Sequence, residues 1–306
     1  MDALEKGGAA ISSGPAFFIL HRMFLFQTGT GNKSPISIAG DGRGVLCLHG
    51  LTGTPFEVRP LAEALGTAGY TVEVPLLAGH GATLRDLAAT QWSDWLASAE
   101  RALEDLYRRM GSRPIHLVGF SMGGLLALRL ARKFPERIAA QVIMAAPLRM
   151  RPAQTRGVRA LAMLPVDFRS YPFACIPKIK GSDISDPDMR EANPALRAFP
   201  ISAVTSLFDL MNQVRADLPY VRTPTLVIHG RHDHTVPMED SLELTGSLGS
   251  DVIERLWLDR SFHVVTLDVE RSAVSNAVTG FFARQNGVAS TPASAGAADA
   301  GRLPRP

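Results

Sequence analysis

The chain is expected to fold as an α/β protein: a mainly parallel central sheet with helices on both faces and an inserted cap. Three observations predict this. Short, near-continuous apolar runs recur between residues 34 and 284. They alternate with longer stretches whose apolar residues return at helical spacing, the pattern of buried parallel strands joined by crossover helices. Between two of the strands lies a long, proline-rich interruption, residues 147–219, which reads as a cap because connections of that length are uncommon inside a compact domain.

Residues 45–48 (VLCL) read as a buried strand, followed by a helix around residues 60–65 and a second strand over 70–74. Across residues 91–110, Trp92, Trp95, Leu96, Leu103 and Leu106 share one helical face. A strand over 114–118 leads into a helix rich in Leu and Ala over 122–134, and another strand follows over 138–145. Beyond the interruption, residues 224–228 and 252–258 supply two more strands, each followed by a helix, the last from about 264 to 283. The cap contains Pro152, Pro165, Pro172, Pro177, Pro187, Pro194 and Pro200, and is expected to form short helical pieces rather than strands. Its last piece carries Ile201, Val204, Leu207, Phe208, Met211 and Val214 at helical spacing, with Phe208 and Met211 expected to meet the substrate. The organisation is therefore an N-terminal extension (1–33), a catalytic-type domain (34–284) and a disordered tail (285–306) rich in Ala, Ser, Gly and Pro.

Composition narrows the function classes. With 46% hydrophobic and 20% charged residues the chain can bury a sizeable core. The formal net charge of +3 is spread through mixed charges without aromatic interleaving, so nucleic acid is not an expected partner. Of the two cysteines, Cys47 lies inside an apolar run and reads as a small buried hydrophobe. No metal-ligand spacing is present, and neither a metal nor a cofactor is expected. The apolar run AFFILHRMFLF, residues 16–26, is broken by His21 and Arg22 and is far shorter than the ~20 residues that span a bilayer. It reads as a short helix or a poorly ordered extension, with transient contact with a lipid surface as the alternative. The default location is the cytoplasm.

The strongest chemical signal is Gly119-Phe120-Ser121-Met122-Gly123, a G-x-S-x-G elbow between a predicted strand and a predicted helix. Flanking glycines let strand and helix approach, and the helix N-terminus places N–H groups beside the serine oxygen, where negative charge develops. A serine hydroxyl needs a base. Of eight histidines, His263 follows the final strand at the carboxyl edge of the sheet, where a loop can lean over Ser121. His80 reads as a loop-fixing residue, His21 and His116 as structural, and His232 and His234 as neighbours of the acid. That acid is Asp233, just beyond the strand over 224–228. The order Ser, Asp, His fits this class, and Asp251, Asp259 and Asp268 are the rivals. The oxyanion hole is expected from the backbone N–H groups of Met122 and of Leu51, in the glycine-containing loop after the first core strand.

The motifs HGLTGTP, PLLAGHG, GFSMGG, HDHTVP and SFHVVTLD occur in that order. Together they resemble the bacterial monoacylglycerol lipases and small thermostable carboxylesterases of the α/β-hydrolase superfamily. The resemblance spans about residues 34–284 and includes the run GSDISDPD (181–188) inside the cap. It assigns Ser121, Asp233 and His263 the nucleophile, acid and base roles. It implies cofactor-free cleavage of monoacylglycerols or short- to medium-chain esters, with the acyl chain under the cap. This sequence departs from the family at Leu51, where the relatives often carry an aromatic residue, and in the arginine-rich stretch 149–173. The leading expectation is therefore ester hydrolysis of a small molecule through an acyl-enzyme on Ser121. Another acyl transfer on the same residues (aminopeptidase, lactonase, thioesterase or perhydrolase) is the runner-up, and a non-catalytic binding scaffold the third reading. The sequence sets no expectation for the oligomeric state.

Overall fold

The computed structural model describes residues 29–40, 43–149 and 175–289. Seven strands form one sheet: β1 (Ile36–Ile38), β2 (Gly44–Leu48), β3 (Thr71–Val74), β4 (Ile115–Phe120), β5 (Ile138–Met144), β8 (Thr225–Gly230) and β9 (Ile253–Leu258). Their spatial order is β1-β3-β2-β4-β5-β8-β9, and every pair is parallel except β1 with β3. A parallel sheet must be covered on both faces, and β2 shows how its sequence meets that demand. Leu46 and Leu48 enter the core cluster on one face while Val45 and Cys47 enter the cluster on the other, all fully buried.

Helices α1 (Arg59–Thr67) and α8 (Arg271–Ala289) cover the second face, whose core includes Leu61, Leu65, Phe281 and Phe282. The first face is covered by α3 (Trp92–Arg109), α4 (Met122–Lys133) and α6 (Ile201–Asp217). Trp95, Leu96, Leu103 and Leu106 are the buried stripe of α3, as the spacing predicts, whereas Trp92 is only partly buried at its first turn. A shorter helix, α2 (Leu84–Ala88), was not expected; it begins at a capping box in which Thr83 and Asp86 satisfy each other's backbone N–H groups. The remaining helices are α5 (Pro187–Ala192) and α7 (Met238–Ser247).

Four expectations need correction. The described part of the cap is not free of strands: β6 (Cys175–Pro177) and β7 (Ala198–Pro200) pair antiparallel. Three-residue strands ending in proline carry no readable period, and proline holds such a ribbon short because it lacks a donor. The last helix begins at Arg271, not near residue 264. Residues 264–268 are buried, with Val264, Val265 and Leu267 spaced closely enough to mimic a helical face, but their backbone turns, with Val265 N–H donating to the His263 carbonyl and Leu267 N–H to that of Val264. The same helix continues through residues 285–289, which were assigned to the tail. It is anchored by Asn286, whose amide bonds His116 Nε2 at 2.9 Å and the Tyr70 hydroxyl at 3.0 Å. Residues 29–31, assigned to the extension, are tied to the cap: Gly29 and Gly31 N–H donate to the carbonyls of Asn193 and Ala192. The apolar run at 16–26, the arginine-rich part of the cap and the tail beyond 289 lie outside the described residues. Among the described residues no helix is long and apolar enough to cross a membrane.

Candidate active site

The ends of β4, β8 and β9 lie on one edge of the sheet, and each delivers one predicted side chain. Ser121 sits between β4 and α4 with φ 53° and ψ −119°, a left-handed conformation that a non-glycine residue adopts only under constraint. The constraint is local. Ser121 N–H donates to Met144 O at 2.8 Å, and its carbonyl accepts from Gly124 N–H at 2.9 Å. Position 123 must be glycine, because a Cβ there would stand 2.2 Å from the carbonyl oxygen of Leu48.

The Ser121 hydroxyl lies 3.1 Å from His263 Nε2, and His263 Nδ1 lies 2.7 Å from Asp233 Oδ2. A carboxylate at that distance requires the proton on Nδ1, leaving Nε2 to accept from the serine. The other oxygen of Asp233 accepts from the backbone N–H groups of Thr235 at 2.8 Å and Val236 at 2.7 Å. His229, at the end of β8, adds a third partner: its Nε2 is 3.3 Å from Asp233 Oδ2 and 3.2 Å from Val236 O, while Nδ1 is 2.7 Å from the Ser241 hydroxyl. Facing two acceptors, Nε2 carries the proton. Burial alone would raise the Asp233 pKa, but the charge of His263 and the hydrogen bonds of His229 and His263 outweigh it and hold the carboxyl well below its usual range. For His263, burial would lower the pKa, and the facing carboxylates of Asp233, Asp183 and Glu57 push it above the ordinary value instead.

The two expected oxyanion donors flank the serine. Met122 is the first residue of α4, where backbone N–H groups have no intrahelical partner. Leu51 lies in a turn after β2, closed by Gly53 N–H donating to Gly50 O at 3.1 Å. Among the described residues the Leu51 N–H has no protein acceptor. The turn abuts Ser121: a Cβ on Gly50 would stand 3.3 Å from that of Ser121.

The cap run 181–188 is wedged between the loops that carry Asp233 and His263. The Asp183 carboxylate accepts from His234 N–H at 2.9 Å, His234 Nδ1 at 2.9 Å and the Thr235 hydroxyl, and its carbonyl accepts from Val264 N–H. Asp268, fully buried, accepts from the N–H groups of Ser185, Asp186 and Phe262 and from the Ser185 hydroxyl. It therefore fixes the loop of His263 to the cap, while the carboxylate that meets His263 Nδ1 is that of Asp233. Asp259 is exposed and pairs with Arg231.

His49, His80 and His116 sit apart from the relay. His49 Nδ1 donates to Gly50 O and Nε2 accepts from Leu77 N–H, with burial pushing its pKa down to about 3. His80 bonds Ala78 O and packs edge-on against His49, its pKa lowered by burial to about 4. His116 is buried within β4. Met211, expected to meet substrate, is buried in the core beneath α6, while Phe208 is only partly covered. Cys47 is fully buried, which pushes its thiol pKa up. Sequence reasoning missed His229, Glu57, Asp183 and Lys178. The only hint for His229 is its place at the end of a strand, four residues before the acid.

Comparison with known proteins identifies the family. Residues 42–270 match the Hydrolase_4 family, described as serine aminopeptidase, S33. The chain is 36% identical over 244 residues to a thermostable monoacylglycerol lipase of Bacillus sp. (strain H-257), covering 80% of this chain and 92% of that protein. It is 30% identical over 249 residues to a carboxylesterase of Bacillus subtilis (strain 168), covering 81% and 95%. Among solved structures, a metagenome-derived lipolytic enzyme from work on LipS and LipT superposes with a TM-score of 0.75 at 36% identity, over 84% of this chain and 100% of that one. With most of its length matched in sequence and in fold, the chain belongs to the Hydrolase_4 family of α/β-hydrolases.

Proposed function

We propose that the protein is a serine carboxylic ester hydrolase working through an acyl-enzyme on Ser121. The observation that carries this reading is the continuous hydrogen-bonded line from Ser121 Oγ to His263 (3.1 Å) to Asp233 (2.7 Å) at one sheet edge. Ser121 Oγ attacks the ester carbonyl as His263 Nε2 takes its proton, and the carbonyl oxygen becomes an oxyanion held by the N–H groups of Leu51 and Met122. Asp233 stabilises the imidazolium, which passes the proton to the departing alcohol. Water, deprotonated by His263, then attacks the acyl-enzyme, and collapse of the second tetrahedral species returns the carboxylic acid and the free serine. No step needs a cofactor.

The names of the relatives favour a monoacylglycerol or another carboxylic ester as the substrate class. An aminopeptidase would need a carboxylate for the substrate ammonium. Asp183, whose charge acts on His263 from the cap, is already engaged by His234 and Thr235. The reading further places the enzyme in the cytoplasm. Its test is a fluorophosphonate probe together with hydrolysis of p-nitrophenyl butyrate, a monoacylglycerol and an amino-acid anilide. Native protein is expected to label and to cleave the esters, while Ser121→Ala stays folded, does not label and loses ~10⁶ in kcat. Failure of the native protein to label, or comparable turnover in Ser121→Ala, would remove Ser121 from the chemistry.

A further inference from the structure

Behind the turn that carries Leu51 lies a carboxyl group that the scheme above leaves unused. Glu57 follows the turn by a few residues and is 4% exposed. Its Oε2 accepts the Gly50 N–H at 3.0 Å, so that amide points away from the serine while the next one, Leu51, stays available. The carboxyl occupies the space that a side chain at position 53 would need, since a Cβ on Gly53 would stand 1.9 Å from Oε2. Glycine at 53 and glutamate at 57 are thus one fitted unit. Asn193 of the cap also hydrogen-bonds the Glu57 side chain, and Thr266 of the base loop donates its hydroxyl to the Glu57 carbonyl.

The far side of the same turn is held from the cap. Thr52, fully buried, has φ 67°, a left-handed conformation that is costly for a β-branched residue. It persists where the surroundings over-determine it. Two cap groups do so: Leu196 N–H donates to Thr52 O at 2.9 Å, and Lys178 Nζ donates to the Thr52 hydroxyl. The Lys178 ammonium also lies 4.5 Å from the centre of the Phe199 ring and acts electrostatically on Glu57, with Arg197 the like charge facing it. Burial lowers the Lys178 pKa to about 8, with the charge of Glu57 opposing the fall, so the ammonium form dominates at neutral pH.

We propose that Glu57 and Lys178 are positioning residues that clamp the Gly50–Gly53 turn from opposite sides, holding Leu51 N–H where it can receive the carbonyl oxygen. Neither touches the substrate. Glu57 sets the path of the turn through Gly50, and Lys178 links that path to the cap through Thr52. The cap thereby contributes to the oxyanion hole and not only to the cover over it.

This inference rests on the acyl-enzyme reading, and the experiment separates the two. Steady-state hydrolysis of p-nitrophenyl butyrate is compared for native protein, Glu57→Ala, Glu57→Gln and Lys178→Met, with thermal melts run alongside. Glu57→Ala is expected to lose ~10- to 100-fold in kcat with KM within about threefold of native, because only the charged oxygen of the tetrahedral species depends on the clamp. Glu57→Gln retains an oxygen for the Gly50 N–H and is expected to recover most of the lost kcat. Lys178→Met is expected to fall in kcat, and combining it with Glu57→Ala in one protein is expected to lose less than the product of the single losses. Active native protein alongside Glu57→Ala with native kcat, or with a loss confined to KM, would overturn the clamp. If Glu57→Ala does not fold, Lys178→Met decides: a folded Lys178→Met variant with native kcat overturns the clamp. Native protein that neither labels nor hydrolyses esters would instead defeat the reading beneath it.

Discussion

Replacing Asp233 by asparagine isolates what the acid does, because the surrounding donors dictate how the amide must lie. In the native site one carboxylate oxygen takes two backbone N–H groups, from Thr235 and Val236, at 2.8 and 2.7 Å. The other faces His263 Nδ1 at 2.7 Å and His229 Nε2 at 3.3 Å. An amide has only one acceptor oxygen. Turned towards His263, that oxygen would set the NH₂ group against two N–H donors and leave both without an acceptor, at ~1–3 kcal/mol each. The oxygen therefore stays with Thr235 and Val236, and the NH₂ faces His263. Nδ1 must then accept, the ring proton moves to Nε2, and the nitrogen facing Ser121 can no longer take its proton. The expected loss in kcat is ~10⁴, or about 5.4 kcal/mol in the barrier, with little change in KM. The two backbone bonds survive, so the melting temperature should stay close to native. The assay is initial-rate hydrolysis of p-nitrophenyl butyrate at saturating substrate, with a melt on the same preparation. A folded variant that keeps more than about a tenth of native kcat would refute the tautomer argument.

Two further outcomes follow from the same geometry. His263 must be neutral to accept the serine proton, and the facing carboxylates raise its pKa above the ordinary 6.5. Activity is therefore lost as pH falls through the raised value, so the acid limb of the kcat/KM profile should lie above 6.5; a limb at or below it would show that the carboxylates do not act on the base. Asp268→Ala removes the acceptor for Phe262, Ser185 and Asp186 N–H groups, and is expected to destabilise the fold by about 3 kcal/mol or more. The pKa of Asp268 is lowered in the fold despite burial, by hydrogen bonds from Ser185 and its neighbours. Its contribution is thus present above the unfolded value and fades as pH falls through the folded one, so the gap in melting temperature between native and variant should narrow in acid. An equal melting temperature at neutral pH would refute the role given to Asp268.

How far the sequence revealed this molecule depended on whether a feature has a period or a local motif. The continuous runs of β2, β4, β5 and β8 are legible because both faces of a parallel strand are buried, so their residues are mainly apolar. The stripe of α3 is legible because Trp95, Leu96, Leu103 and Leu106 recur at helical spacing. Ser121 announces itself through the glycines that its turn requires. The ribbon of β6 and β7 has no such signature, since three residues cannot display alternation and its pairing joins positions far apart in the chain. The apolar residues at 264–267 show the opposite failure: Val264, Val265 and Leu267 are buried as a helical face would be, yet they pack from a turn. Glu57 and Lys178 were invisible for a related reason. A charged residue in a helical or proline-rich stretch reads as solvated surface, and only the fold shows that the two converge on one turn.

The pattern at the site edge has a physical logic of its own. Catalytic geometry must be held to a fraction of an ångström, yet the residues come from loops, which are the least constrained parts of a parallel sheet. Here three of the loops are tied by a carboxyl group accepting backbone N–H: Glu57 takes Gly50 in the turn after β2, Asp233 takes Thr235 and Val236 after β8, and Asp268 takes Phe262 after β9. A carboxyl group suits this task because its two oxygens can accept several donors at once, and for Asp233 and Asp268, whose hydrogen bonds favour the ionised form, bonds to a charged acceptor are stronger than neutral ones. Two of the three carboxyl groups also bind the cap, through Asn193 and through Ser185 with Asp186. Ordering the cap and ordering the reactive edge are therefore one process. A variant that loosens the cap run 181–188 should disturb turnover even where it leaves every reacting side chain in place.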